Sequence, residues 1–311
     1  MHEVQIHVGT FTRSLLIDLA RSTGRLEQAG LDVRESSVVS SPAQFTSLEA
    51  GEFDLVMTSP DNVLAYRFLS KNPLGRNLPI EITAAIDRAL GLSLCLGPSI
   101  AGAESVRGQV VGVDVPQSGF AFVAFALLDR AGLSPGDYVV ESMGSTPRRA
   151  QKLIDGGCAA TVLNAGNELR AEGAGCTVVG QVAELGPYLG TVIAAMATTD
   201  PSVAEVRQRF ADALLGMSRE ILAGQWESEV IESAMRLLDL TEDEANAHRE
   251  CLLDPQRGLI SDGVVDRASI GTLIDLRRTY MPTPELDVVA ESWEAMVIDH
   301  ALEEPSGNPH G

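Results

Sequence analysis

The chain has 311 residues, of which 45% are hydrophobic, and its formal net charge at pH 7 is −20. This length and hydrophobic content are sufficient for the buried core of one large or two medium domains. The strong negative charge argues against nucleic acid as a partner, because DNA and RNA binding needs a basic surface, and against binding to an anionic membrane surface.

The N-terminus and the hydropathy of the chain indicate neither a targeting segment nor a membrane helix. The first residues, MHEVQIHVGTF, have no basic start and no apolar stretch of roughly 7–15 residues, both of which a secretory signal would have. No run approaches the roughly 18 apolar residues of a membrane-spanning helix. We therefore predict a cytoplasmic protein without membrane insertion. A periplasmic or extracellular protein trimmed of its signal would have the same sequence.

The first part of the chain alternates short apolar strands with helices. Each strand ends in a small polar loop, and each loop leads into a helix, which is typical of parallel strands joined by helical crossovers. Ligands of such sheets bind at the carboxyl ends of the strands, where these loops lie. The predicted strands cover 4–8, 31–39, 53–57 and 79–86.

The middle of the chain repeats this order, and the last third is helical. The pattern predicts an α/β fold with mostly parallel sheets flanked by helices and a helical C-terminal region. Further strands are predicted at 92–96, 109–113, 138–142, 159–163, 177–182 and 192–198. Helices are predicted at 120–131, 147–155, 201–223, 226–238, 241–252, 266–279 and 285–302.

Several segments occur in an order that resembles the type II periplasmic-binding-protein fold. These are RLEQAGLDV, AGEFDLVMTSPDNVLAY, ESVRGQVVGVDVPQSGFAFVAFALLDRAGL and RRAQKLIDGGCAATVL. The branch that the chain resembles most contains nitrate-, sulfonate- and taurine-type binding proteins and the fungal thiamine-pyrimidine precursor synthases. The resemblance covers about residues 4–225 and is weaker in the helical tail.

The resemblance implies two lobes that close by a hinge motion on a ligand in the cleft between them. The first lobe would combine 1–96 with 191–311, and the second would cover 97–190. Members of this fold include receptors of ABC importers and, less often, cytosolic enzymes such as decarboxylases. A desulfinase among them uses a cysteine in the loop after the first strand. That loop has no cysteine here, so this mechanism is not carried over.

The loop after the first strand is the first candidate wall of the cleft. Thr10 and Thr12 offer hydroxyl groups, Phe11 offers a stacking face, and Arg13 offers a clamp for an anion. Ser40 and Ser59 follow the next two strands and are candidate ligand contacts, or plain helix caps because each precedes a proline closely. Asp61 is either an acid of the cleft or a first-turn acid that serves the helix dipole.

The second lobe offers helix N-termini above the ends of its strands. Free backbone N–H groups and the positive end of the helix dipole suit a carboxylate, sulfonate or phosphate group. The candidate substrate-binding residues of this lobe are Gln117, Ser118, Gly119, Phe120, Ser145, Asn164 and Glu168.

Candidate catalytic residues lie at the end of the fourth strand and just beyond it. Arg88 could hold a carboxylate and Asp87 could act as a base with a raised pKa if the pair is buried; the alternative is a surface salt bridge. Cys95 is either a functional thiol or a small buried hydrophobe. The four cysteines fit no zinc template. They are isolated thiols, with a Cys158–Cys176 disulfide as the alternative.

Two functions from different classes follow. The first is a cytosolic lyase or decarboxylase that acts on a small organic acid, without cofactor or metal. Arg88 or Arg13 would hold the anion, and Asp87 or Asp61 would transfer the proton. The alternative is a solute-binding protein of an ABC importer that delivers a sulfonate, nitrate or carboxylate to a permease. The absent signal favours the enzyme, and the lack of an obvious catalytic set favours the receptor.

Overall fold

The computed structural model describes residues 3–303. In its first part four strands alternate with four helices, and apolar residues face inward along each strand. Ile6 and Val8 of the first strand are buried, for example. In chain order these elements are β1 (Val4–Thr10), α1 (Leu15–Ser22), α2 (Arg25–Gln28), β2 (Leu31–Ser37), α3 (Ser41–Glu49), β3 (Leu55–Thr58), α4 (Pro60–Phe68) and β4 (Ile80–Asp87).

The middle of the chain repeats the strand–helix order. Its elements are β5 (Ser93–Leu96), β6 (Val110–Val113), α5 (Gly119–Arg130), β7 (Val139–Ser142), α6 (Thr146–Ile154), β8 (Ala160–Leu163), α7 (Asn167–Gly173) and β9 (Thr177–Gln181). A short 3-10 helix, Ala103–Val106, lies between β5 and β6, and a second, Val182–Leu185, follows β9.

The last third returns to the first sheet and is then helical. Its elements are β10 (Thr191–Met196), α8 (Pro201–Leu222), α9 (Glu227–Leu238), α10 (Glu242–Leu253), α11 (Arg267–Tyr280) and α12 (Glu285–Ser292). The single helix predicted at 285–302 is wrong. The helix ends at Ser292, and two 3-10 turns follow at Trp293–Met296 and Asp299–Ala301.

The strands form two five-stranded sheets, and we call each sheet with its helices a lobe. The order is β2-β1-β3-β10-β4 in lobe one and β7-β6-β8-β5-β9 in lobe two. Strand β10 is antiparallel to its neighbours in the first sheet, and β5 is antiparallel in the second. The prediction of mostly parallel sheets flanked by helices is confirmed.

The chain changes sheets between β4 and β5 and returns between β9 and β10. Ala89, Leu90 and Gly91 in the first crossing all have a positive φ, so the backbone turns sharply there. The residues at which one lobe ends and the other begins, predicted as 1–96 plus 191–311 and 97–190, stay a prediction. Of these ranges, 1–2 and 304–311 lie outside the described residues.

The C-terminal helices connect the two lobes. Helix α11 packs against α5 of lobe two, whereas α12 packs against α4 of lobe one. Tyr280 of α11 stacks on Phe122 and meets Phe125 edge-on. The helical tail therefore covers both lobes at one side of the cleft.

Candidate functional site

The carboxyl ends of the strands in both sheets face a common cavity of about 130 Å³. An engineered protein cavity of about 150 Å³ holds benzene, so this cavity has room for a small molecule of several non-hydrogen atoms. It is lined from lobe one by 10–16, 57–59 and 86–87, and from lobe two by 118–120, together with Asp114, Thr146, Arg149 and Asn164.

Hydrogen bonds join the lobes around the cavity, so the cleft is closed. Ser41 N–H donates to Asp114 Oδ2 at 3.2 Å, and Ser145 N–H donates to the carbonyl oxygen of Val39 at 3.0 Å. Asn167 Nδ2 donates to Thr12 Oγ1 at 3.3 Å. Each of these bonds has one partner in lobe one and the other in lobe two, and opening the cleft would break all three.

Most of the predicted site residues are brought together in this cavity. Arg13 is at its rim, with a side chain that is 57% exposed and 4.0 Å from Glu35. Ser145 lies in an adjoining groove that shares Phe11, Thr12 and Arg13 with the cavity. The predicted residues that line the cavity are Thr10, Phe11, Thr12, Arg13, Ser59, Asp87, Ser118, Gly119, Phe120 and Asn164.

Two helices from opposite lobes present free N–H groups to this space. Ser14 caps α1 through Ile17 N–H, and Ser118 caps α5 through Ala121 N–H. The first-turn N–H groups of Leu15, Leu16, Gly119 and Phe120 (α1 and α5) donate to no group within residues 3–303. A helix N-terminus carries roughly +0.5 charge, so these two ends together favour an anionic group between them.

The remaining predicted residues lie outside the cavity lining. Ser40 caps α3 by accepting a hydrogen bond from Ala43 N–H, as expected for the helix cap that was the alternative to a ligand contact. Gln117 is exposed, and its carbonyl oxygen accepts from Arg277 at 3.2 Å. Glu168 packs against Gly91 in the first crossing.

Asp87 and Arg88 do not form the predicted pair. Asp87 is buried, and its Oδ1 accepts from Ala89 N–H at 2.8 Å and Thr191 N–H at 3.1 Å, which ties the two crossing segments together. Burial raises the pKa of Asp87 to about 6. Arg88 points away from the cavity and binds Asp266 at 3.1 Å. The predicted clamp and base are thus separated because consecutive residues at a strand end point to opposite faces.

Asp61 belongs to a buried ion pair, not to the cavity wall. Arg277 Nε donates to its Oδ1 at 2.5 Å and Arg277 Nη2 donates to its Oδ2 at 2.7 Å. Both side chains are at most 2% exposed. The Arg277 guanidinium also lies over the ring of Phe122, 5.1 Å from its centroid. The pair joins α4 of lobe one to α11, and through Phe122 to lobe two.

Cys95 lies in the core of lobe two, outside the cavity lining. Its thiol donates to the carbonyl oxygen of Ser93 at 3.7 Å, and burial raises its pKa well above 9, which keeps the thiol protonated and unreactive. The other cysteines, Cys158, Cys176 and Cys251, are also buried free thiols, so the alternative of a Cys158–Cys176 disulfide is excluded.

Sequence reasoning missed two charged residues of the cavity wall, Asp114 and Arg149. Asp114 directly follows β6, the same position at a strand end as the predicted loops, so its place in the sequence was a usable signal. Arg149 is 1% exposed and lies in α6 on the face of Thr146, Ala150 and Leu153. The helical spacing of these residues predicts a buried face, but an arginine at such a position is normally expected to be exposed, because arginine is seldom fully buried.

His248 is a further cavity residue that sequence reasoning did not assign to the site. It is buried in α10, and burial lowers its pKa to about 4, so the imidazole is neutral near pH 7. Its Nδ1 has no hydrogen-bond partner within the described part of the chain. The cavity therefore contains a neutral imidazole in addition to its charged groups.

Several solved structures with this architecture are named as binding proteins. The alkanesulfonate-binding protein SsuA from Xanthomonas axonopodis pv. citri, bound to MOPS, has a TM-score of 0.73 at 14% identity, over 96% of this chain and 99% of that one. The periplasmic nitrate-binding protein NrtA from Synechocystis PCC 6803 has a TM-score of 0.71 at 11% identity, over 93% and 86%. A Candida albicans gene product with the generic periplasmic binding protein fold has a TM-score of 0.74 at 15% identity, over 98% and 99%.

No protein-family model matches the sequence, and no curated protein matches it either. The structural similarity nevertheless confirms the predicted fold: the chain has the two-lobed type II periplasmic-binding-protein fold.

The prediction of a cytosolic lyase or decarboxylase is wrong. The similar structures include sulfonate- and nitrate-binding proteins, which fit the alternative of a solute-binding protein. The predicted cytoplasmic location gains no support from them, since three of the similar structures are described as periplasmic proteins. Among residues 3–303, no helix combines the length and the apolar character needed to cross a membrane.

Proposed function

We propose that the protein is a solute-binding protein of an ABC importer that holds a small molecule with an anionic group between its lobes. The observation that carries this proposal is the closed cavity of about 130 Å³ onto which the N-termini of α1 and α5 open from opposite lobes. An anion between two such ends would interact with both lobes at once, and it would favour the closed arrangement.

The contacts between the lobes support a clamp. The hydrogen bonds from Ser41 to Asp114 and from Ser145 to Val39 form only when the cleft is shut. A ligand that adds contacts to both lobes would shift the equilibrium further toward this closed form. The partner that receives the solute would be an ABC permease, and a receptor in this role works outside the cytoplasm.

We also propose how the chain is divided between the two lobes that close on the ligand. Lobe one would comprise 1–96 with 191–311 and lobe two 97–190, with the hinge in the two crossing segments tied by Asp87. The sulfonate, nitrate and carboxylate classes are the candidate anionic groups, and the names of the similar structures favour sulfonate and nitrate.

Isothermal titration calorimetry with a panel of small sulfonates, carboxylates and nitrate tests the proposal. We expect one compound to bind with a stoichiometry of one. Phe11→Ala and Phe120→Ala remove side chains from the cavity wall, and each should weaken binding at least about tenfold, the equivalent of about 1.4 kcal/mol. Phe68→Ala removes a half-buried ring outside the cavity lining and should leave the affinity unchanged. Equal loss in all three variants would contradict a site in this cavity.

A further inference from the structure

The lobe-two wall of the cavity contains charges of both signs. Asp114 and Arg149 both line the cavity and are both buried. Arg149 donates to oxygens of neutral groups: Thr161 Oγ1 at 3.1 Å, Gly144 O at 2.6 Å, Thr146 Oγ1 at 3.2 Å and Val162 O at 3.1 Å. Neither Asp114 nor Arg149 makes a salt bridge within residues 3–303, so neither charge is neutralised by a direct ion pair.

One carboxylate oxygen of Asp114 lacks a donor. Its Oδ2 accepts from Ser41 N–H at 3.2 Å, whereas Oδ1 is buried and accepts from no group in the described part of the chain. An unsatisfied buried acceptor is costly, and most such atoms in folded proteins have a partner. The Asp114 side chain lies in the wall of a cavity that has room for a molecule, so a bound molecule can supply the missing donor.

The cavity wall has further positive groups besides Arg149. The free N–H groups of α1 and α5 and the rim residue Arg13 suit the anionic end of a ligand. Asp114 suits the opposite kind of group, since a carboxylate accepts strong hydrogen bonds from protonated nitrogen. An anion without a nitrogen would leave Asp114 Oδ1 unpartnered and would add a negative charge to a small space that already contains the carboxyl groups of Asp87 and Asp114.

We propose that the solute is a small zwitterion, in which a carboxylate or sulfonate is held by the helix N-termini and a protonated amine is held by Asp114. This inference rests on the proposed binding function and names the class of its ligand. Asp114 then determines specificity, because it accepts a hydrogen bond from the amine. An acid of the same size without an amine cannot donate this bond and binds more weakly.

Matched pairs of acids with and without an amine test this inference by titration calorimetry. The probes are β-alanine against propionate and taurine against ethanesulfonate. The wild-type protein should bind the amino acid of at least one pair about tenfold or more tightly than its partner. Asp114→Asn should abolish this preference, while the new side chain keeps an oxygen for Ser41 N–H. Asp155→Asn, which removes an exposed carboxylate of the same lobe, should preserve it.

The outcomes separate this inference from the proposed function. Tighter binding of propionate or ethanesulfonate than of the amino acids overturns the zwitterion and leaves a receptor for plain anions. A preference for the amine that survives Asp114→Asn, in a variant with wild-type circular dichroism, overturns the role of Asp114. If neither these probes nor the wider panel of anions binds to the wild-type protein, the binding function itself fails.

Discussion

At the scale of single residues, the buried pair of Asp61 and Arg277 has the largest expected effect on stability. Arg277→Ala leaves the Asp61 carboxylate buried without its partner, so we expect a loss of about 3–5 kcal/mol in the free energy of unfolding. Urea unfolding followed by circular dichroism measures it. Arg278→Ala is the matched control: its exposed side chain pairs with Asp275 and Asp287, and the change should cost less than about 1 kcal/mol. Similar losses in both variants would contradict the account of the pair.

A second residue, Glu168, should make stability depend on pH. Burial raises the pKa of its carboxyl from 4.5 to about 8. The folded state therefore binds this proton more tightly than the unfolded state. The resulting stabilisation is fully present below pH 4.5 and is lost as the pH rises through about 8.

The variant Glu168→Gln isolates this effect. It should remain neutral and lose less stability than the wild type between pH 4.5 and about pH 8, with a difference of at least about 1 kcal/mol. Urea midpoints across this range give the comparison. Glu205→Gln, at an exposed position of α8, should follow the wild-type curve. Parallel curves for Glu168→Gln and the wild type would show that the carboxyl titrates normally.

At the scale of elements, the start of α5 packs closely against lobe one. A Cβ atom at Gly119 would lie 2.6 Å from Asp61 Cγ, and Asp61 is fixed by Arg277. Gly119→Ala should therefore lower the melting temperature, although alanine is the better helix former. Gly271→Ala, in the interior of α11 with open space around it, should instead raise stability by up to about 1 kcal/mol. A gain in both variants would mean that the lobes do not meet at Gly119.

The elements themselves could be read from the sequence, because their signals are local. Apolar runs bounded by glycine or proline gave the strands to within a few residues, and Ser40, Ser59 and Ser118 mark helix starts that the structure confirms as caps. The cavity was less predictable. The loops at the strand ends could be expected to line it. The ion pair of Asp61 could not be expected, because its partner Arg277 lies more than two hundred residues away in the sequence. The burial of Arg149 could not be expected either, because it depends on packing against β8.

At the scale of the whole molecule, two lobes are held together by a few polar contacts and by the C-terminal helices. Gly144 has a φ of +81°, and a Cβ atom there would lie 2.5 Å from the carbonyl oxygen of Val39 in the other lobe. Gly144→Ala should hinder closure and weaken ligand binding about tenfold or more. Gly136→Ala, also at a positive φ but with open space around it, controls for backbone strain. Unchanged affinity in the Gly144 variant would argue against a ligand held by closure.

Native mass spectrometry of the purified protein with its bound small molecule distinguishes a binding protein from an enzyme. We expect a single ligand per chain that is released with its mass unchanged after prolonged incubation and rebinds to the emptied protein. We also expect Gly144→Ala to retain less of this ligand than the wild type does. A ligand that loses mass or turns into a new species on the protein would contradict a binding function. Equal retention by both proteins would contradict a site between the lobes.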